Sequence, residues 1–343
     1  MDYDVSHPHG GTGDWCSSGE KIRCVVKDAP PLDPRSPDNE LRVIAYNIFE
    51  RGFYVSLDAQ SERTCRIPHV LAADHPDVDV ITFQECFMGG CFPRDGVSIR
   101  DLLAHVGFPY FTETLRSPEF FQVENGGIFV ASRWPILEED QLIFKSYDNP
   151  SWDMFSAKGV SYAKILKGER VYHVMSTHFQ AGSHEAKVNQ SLEWAQFVQG
   201  KNLPADEPVI FSGDLNADYF GAPGSTFWQV MDNLQTEVPQ LVGPYNATAN
   251  PVINDLLKLK GRTDWGSWID HAVYSKVHLK PIRSTNTILR PIDAAFPVCW
   301  CEECINPLRW SHIYPEDESC PGTTEHLQDL SDHQPVLGEF IFN

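Results

Sequence analysis

Short apolar runs rich in β-branched residues recur along most of this chain, and several of them end on a carboxylate, a carboxamide or an imidazole. The runs at Leu41 to Phe49, Val78 to Phe83, Gly127 to Ser132, Val160 to Leu166, Val171 to Thr177, Val209 to Ser212, Ile269 to Tyr274 and Gln334 to Phe342 are bounded by turn residues and read as strands. Lys167-Gly168-Glu169 reads as a hairpin turn between two of them. Helical spacing falls between others, at Glu62 to Ala73, Ile99 to His105, Ser183 to Gln199 and Thr226 to Leu234. Strands with helices as partial covers predict a layered α/β sandwich. Residues 1–39, rich in Pro, Gly, Asp and Ser, read as an irregular arm, and 40–343 as a single domain.

The polar ends carry the chemistry. Asn47 closes the first run and Gln84-Glu85 the second; His178 closes Val174 to Thr177. Asp214 and Asn216 follow Val209 to Gly213, Asp270-His271 interrupts a strand, and Asp332-His333 precedes the last one. Each alone reads as a turn former or cap. Strand ends gather at one edge of a sheet, however, so together they predict a cluster of carboxylates, carboxamides and up to three imidazoles. Such a cluster repels itself without a cation, and hard oxygen donors favour Mg²⁺, with Mn²⁺ or Ca²⁺ as substitutes. A cation beside paired His and Asp suits phosphodiester hydrolysis by activated water.

Composition sets the partners. With 27 basic and 47 acidic residues the formal charge is −20, and the Lys and Arg are scattered, which argues against nucleic acid. No apolar run approaches the roughly 18 residues of a membrane span. Met1 to Gly13 shows no basic start and no apolar core of a secretion signal. Nine cysteines include Cys86 with Cys91, and Cys299-x-Cys301-x-x-Cys304, sets that permit disulfides or a metal; their odd number leaves at least one unpaired within a monomer. Asn189 and Asn246 fit the glycosylation triplet, the first inside an expected helix.

Taken in order, Asn47, Gln84-Glu85, Thr177-His178, Ser212-Gly-Asp214-Leu-Asn216, Asp270 and Ser331-Asp332-His333 resemble the signature of the endonuclease/exonuclease/phosphatase superfamily, the DNase I-like fold. The resemblance runs from about Leu41 to Phe342. It implies a four-layer α/β sandwich, two packed mixed sheets flanked by helices. It further implies Glu85 as the principal Mg²⁺ ligand, with Asn47 as ligand or support and with Mn²⁺ or Co²⁺ able to replace Mg²⁺. Asp214 and Asn216 would bind and orient water, phosphate or a second metal, and His178 would contact the phosphate or assist the leaving group. Asp270 would orient the phosphate-side histidine, Asp332 would add a carboxylate, and His333 would activate water and stand near the metal.

Thr177-His178-Phe179-Gln180-Ala181 is similar to the Thr-His-x-Gln-Ala of bacterial-type neutral sphingomyelinases, as is the stretch from Asn202 to Asp214. That resemblance implies hydrolysis of sphingomyelin to ceramide and phosphocholine on a membrane surface, by a monomer. An extracellular setting is favoured over a cytoplasmic one. Phe296 and Trp300 fall where the secreted enzymes carry a membrane-binding hairpin, so we expect them to anchor the protein, with core packing as the alternative. Here the chain departs from the bacterial pattern by interposing Cys299, Cys301, Cys304 and Cys320, as disulfides or as a zinc site with His312 and His326. A Cys86–Cys91 bridge would brace the loop after Glu85. Competing readings are a nuclease or phosphatase on the same fold, and a membrane-docking module without turnover.

Overall fold

The computed structural model describes residues 2–4, 14–15, 21–25, 37–52, 57–90, 97–116, 125–147, 156–263, 266–301 and 322–343. Two mixed sheets lie face to face within it. One runs in the order β14 (Gln240–Val242), β16 (Arg283–Ile288), β19 (Val336–Ile341), β4 (Glu40–Glu50), β6 (Val80–Cys86), β8 (Phe129–Ser132), β7 (Tyr110–Phe111). The other runs β13 (Thr236–Glu237), β15 (Asp270–Ser275), β12 (Val209–Asp214), β11 (Arg170–His178), β10 (Gly159–Lys167), β9 (Ile136–Ile143). Helices α1 (Gln60–Asp74) and α2 (Ile99–His105) cover the first, and α3 (His184–Lys201) and α4 (Thr226–Leu234) the second. This is the layered α/β sandwich expected from the strand pattern, in the four layers that the family resemblance implies.

Period-two alternation distributes the side chains among the layers. Along β4, Leu41 and Val43 enter the core between the sheets, while Ile44, Tyr46 and Ile48 face α1. Near the strand ends that inner face turns polar: Ser212 donates to Thr82 Oγ1 at 3.0 Å and Gln84 Nε2 donates to Ser176 Oγ at 2.9 Å, joining the sheets. Polar groups buried this deeply need hydrogen-bond partners, and here the two sheets supply them to each other.

Three regions differ from expectation. The arm contains a small antiparallel sheet, β1 (Asp2–Asp4), β3 (Lys21–Val25) and β2 (Asp14–Trp15), because a β-favouring segment such as Lys21–Val25 is submerged in the arm's Pro- and Gly-rich average. Strand β9 was invisible because it is an edge strand whose Glu138, Glu139 and Asp140 are exposed, so no apolar alternation marks it. Finally, β17 (Ile292–Cys301) pairs with β18 (Thr323–Asp329) and β5 (Leu57–Asp58) as a third, three-stranded sheet. Phe296 and Trp300 point inward there, 4% and 8% exposed, and Arg66 covers the Phe296 ring at 4.1 Å. They pack in the core beside α1 instead of standing free as an anchor, because alternation along β17 puts both on the face toward that helix.

Candidate active site

Topology brings the polar strand ends together. Strands β4 and β6 are parallel, as are β11 and β12, so Asn47, Glu85, His178 and Asp214 lie at one edge. Strands β15 and β19 run antiparallel to their neighbours β12 and β4, so their starts reach the same edge with Asp270 and His333. In register, His178 stands opposite Asp214, and Asp214 opposite Asp270.

Asn47 donates from Nδ2 to Glu85 Oε1 and to Asp214 Oδ2, each at 3.0 Å, and its Oδ1 accepts from Phe49 N. It therefore supports the two carboxylates. His178 Nε2 lies 3.5 Å from Asp214 Oδ2 and 3.8 Å from Glu85 Oε1, with Lys158 Nζ 3.1 Å from both ring nitrogens. Asp270 Oδ2 is 2.8 Å from His333 Nδ1, leaving His333 Nε2 4.0 Å from both Asp214 and Asp332. Asp270 thus holds His333 and not His178, the histidine expected to face phosphate, because β15 starts beside the turn that carries His333. Asn216, at φ 46°, donates its backbone N to Asp214 Oδ1 and its Nδ2 to Phe179 O, so it shapes the turn and keeps Asp214 in place.

Burial makes this charge unstable as it stands. Burial and the adjacent Asp270 push the Asp214 carboxyl up to about 7, against His333 and the bonds from Asn216 and Asn47. Burial also opposes the charged form of His333, yet Asp270, Asp214 and Asp332 together raise its pKa well above the ordinary histidine value. His178 is driven well below that value by burial and by the nearby Lys158 and His333, which keeps it neutral. Asp332, also buried, is held low by Lys260, whose Nζ is 2.8 Å away.

Asp214, Asp270 and His333 place donor atoms within 4.8 Å of one another. Among the described residues, Asp270 Oδ1 and Asp332 Oδ1 are buried oxygens without a hydrogen-bond partner. Facing carboxylates, unused oxygens and a neutral imidazole fit a hard divalent cation. Thiolate does not enter the set: Cys86 is a free thiol turned away to Glu50, which also removes the expected Cys86–Cys91 bridge. Nor does His271 join, since alternation along β15 turns it to the helix face, where it stacks on Trp268 and leans on Phe227.

Lysines were missed from the sequence. Lys158 lies 5% exposed against His178, and Lys187 Nζ donates to Ala181 O and Asn216 O, holding the turns beside His178 and Asp214 together. A signal for Lys158 existed: counting back from the turn at Lys167-Gly168 sets Gly159 opposite His178 and so Lys158 at its flank. Lys187 comes from α3 and Lys260 from the C-terminal cap of a short helix, Asp255–Leu259, and no local pattern encodes their approach. Cys91, Cys304, His312 and Cys320 lie outside the described residues.

The endonuclease/exonuclease/phosphatase family model matches residues 45–333, and the chain belongs to that family. Within it, the similarity is to the bacterial neutral sphingomyelinases. A sphingomyelinase C of Bacillus cereus is 28% identical over 320 residues, spanning 87% of this chain and 88% of its own. A phospholipase C of Staphylococcus aureus is 31% identical over 303 residues, 80% of this chain and 87% of its own. Among solved structures, a beta toxin variant from Staphylococcus aureus with bound magnesium ions superposes with a TM-score of 0.71 at 25% identity, covering 87% of this chain and 99% of that one. Fold, site and relatives together define a metal-dependent phosphodiesterase.

Proposed function

We propose that this chain hydrolyses sphingomyelin to ceramide and phosphocholine with Mg²⁺, for which Mn²⁺ or Co²⁺ substitutes, as one catalytic domain over 40–343. The observation that carries the chemistry is the facing arrangement of Asp270–His333 and Lys158–His178 across Asp214 and Glu85. Sphingomyelin, rather than another phosphoester, rests on likeness to sphingomyelinases along most of the chain and on Gln180-Ala181 after His178.

A divalent ion at Glu85 and Asp214 would supply positive charge to the phosphoryl oxygens. Asp270 accepts from His333 Nδ1 and so leaves Nε2 as the nitrogen that takes a proton from water. His333 faces Asp214, Asp270 and Asp332, and cationic charge bound there would offset these carboxylates and favour its neutral, proton-accepting form. Lys158 offers an ammonium beside His178 to a phosphate oxygen.

Membrane contact falls to residues other than Phe296 and Trp300, which are buried. No helix among the described residues is long and apolar enough to cross a membrane, and we place the protein at an extracellular membrane surface as a monomer. For the cysteine-rich segment we propose disulfides rather than zinc, because its spacing lacks a second close Cys-x-x-Cys pair. The test is to incubate the protein with sphingomyelin mixed micelles, phosphatidylcholine micelles and plasmid DNA, each with Mg²⁺ or chelator. Chelator-sensitive phosphocholine release from sphingomyelin is expected; DNA nicking or indifference to chelator would overturn the reading.

A further inference from the structure

Behind Glu85 lies a second buried carboxylate that the chemistry above does not use. Strands β4 and β6 pair in register from Val43 to Asn47, then slip, so that Glu50 comes opposite Cys86. The slip places Phe49 at φ 51° and Glu85 at φ 53°, left-handed backbone that non-glycine residues rarely hold without support. Support for the first comes from Arg63, which donates to Ile48 O at 2.8 Å and Phe49 O at 2.6 Å. Glu50 answers for the second. Fully buried, it accepts from Gly90 N at 2.6 Å and Gly89 N at 2.9 Å, and from Cys86 Sγ at 3.3 Å, while its backbone O accepts from Phe87 N at 3.3 Å.

The loop that begins at Cys86 is thus bound from beneath along most of its length. Its far side is closed as well: Ile99 N donates to Gly89 O at 2.7 Å, and a side chain at Gly90 would meet Ile99 N at 2.4 Å. Cys86 N donates to Gly127 O at 3.0 Å, and Gly127 stands so close that a Cβ there would meet Cys86 N at 2.7 Å. A charged carboxylate in so dry a place is costly unless it is satisfied, and the loop's amides and thiol satisfy it. We propose that Glu50 is a positioning residue for the metal-binding carboxylate of Glu85, fixing its backbone through the loop Cys86–Gly90. This rests on the reading of Glu85 as a metal ligand.

The test uses the full chain and Mn²⁺ as the probe, with binding read by electron paramagnetic resonance. It is run at pH 8, above the value of about 7 to which burial pushes the Glu50 carboxyl. Glu50→Gln keeps the size but replaces one acceptor oxygen with a donor. It should weaken Mn²⁺ binding roughly tenfold, the size of effect seen when groups supporting a ligand are removed. It should also raise the Mg²⁺ concentration for half-maximal hydrolysis more than it lowers kcat. Cys86→Ala, which removes only the thiol donor, should shift Mn²⁺ affinity in the same direction by less. A Glu50→Gln protein that loses thermal stability yet binds Mn²⁺ like the parent assigns Glu50 to folding alone and sinks the inference. If Glu50→Gln does not fold, unchanged Mn²⁺ affinity in Cys86→Ala decides against it. Glu85→Gln separates the two readings: should it bind Mn²⁺ undiminished, the ligand assignment itself fails.

Discussion

Asp270 and His333 divide the labour of one imidazole: the 2.8 Å contact occupies Nδ1, and Nε2 is left for water. His333→Ala and Glu85→Gln should each lower kcat by at least about 10²-fold while leaving the melting temperature nearly unchanged. Micelle turnover and thermal denaturation measure the two effects separately, and activity retained by either variant would falsify its role. Lys158→Met should raise KM, because a phosphate-facing ammonium is lost. His271 belongs to a different account. Burial, opposed by Asp270, drives its pKa down from 6.5 to about 4, so the folded state binds fewer protons than the unfolded chain. Stability is then intact above pH 6.5 and declines as pH falls toward 4, by about 3 kcal/mol from this group. In urea unfolding across that window, His271→Gln should flatten the acid decline; an unchanged slope would discard this account.

At the scale of elements, the site depends on strands meeting with almost no space between them. Gly213 sits at φ 127° where β12 passes β11, and a Cβ there would lie 2.1 Å from Thr177 O. Gly213→Ala should cost about 2–3 kcal/mol and displace Asp214, so chemical denaturation and metal-dependent activity should fall together. Strand β17 shows the opposite lesson. Because Trp300 is buried against α1, Trp300→Ala should cost about 3–5 kcal/mol of stability and leave vesicle binding by the folded protein unchanged. A selective loss of vesicle binding would restore the anchor. The helices expected near 62–73, 99–105, 183–199 and 226–234 all form, within two residues at their ends, since periodic segments carry their own signal. Polar strands such as Arg283–Ile288 carry none, and only their partners make them strands.

On the scale of the whole molecule, the formal charge of −20 shapes which surface the protein approaches. An acidic protein is repelled by anionic lipid, so binding to zwitterionic vesicles should exceed binding to vesicles rich in anionic headgroups, more so at low salt. Flotation with the two vesicle compositions checks it. Asp214 and Asp270, facing each other in register, make part of that charge a single metal-seeking unit.

Asn47, Glu85, His178, Asp214, Asp270 and His333 were legible in order along the chain, because each lies at or near the end of a strand and strand ends share an edge. Local pattern sufficed there: hydrophobic alternation defines strands, and polar interruptions stand out against it. What each side chain does was decided only by the tertiary structure. Register gave Asp270 to His333, alternation sent His271 to the helices and Trp300 into the core, and packing from distant segments brought Lys187 and Lys260 to the site. Those partners meet through sheet pairing and helix approach across dozens of residues. No short-range pattern encodes such distances, so only the folded arrangement could assign them.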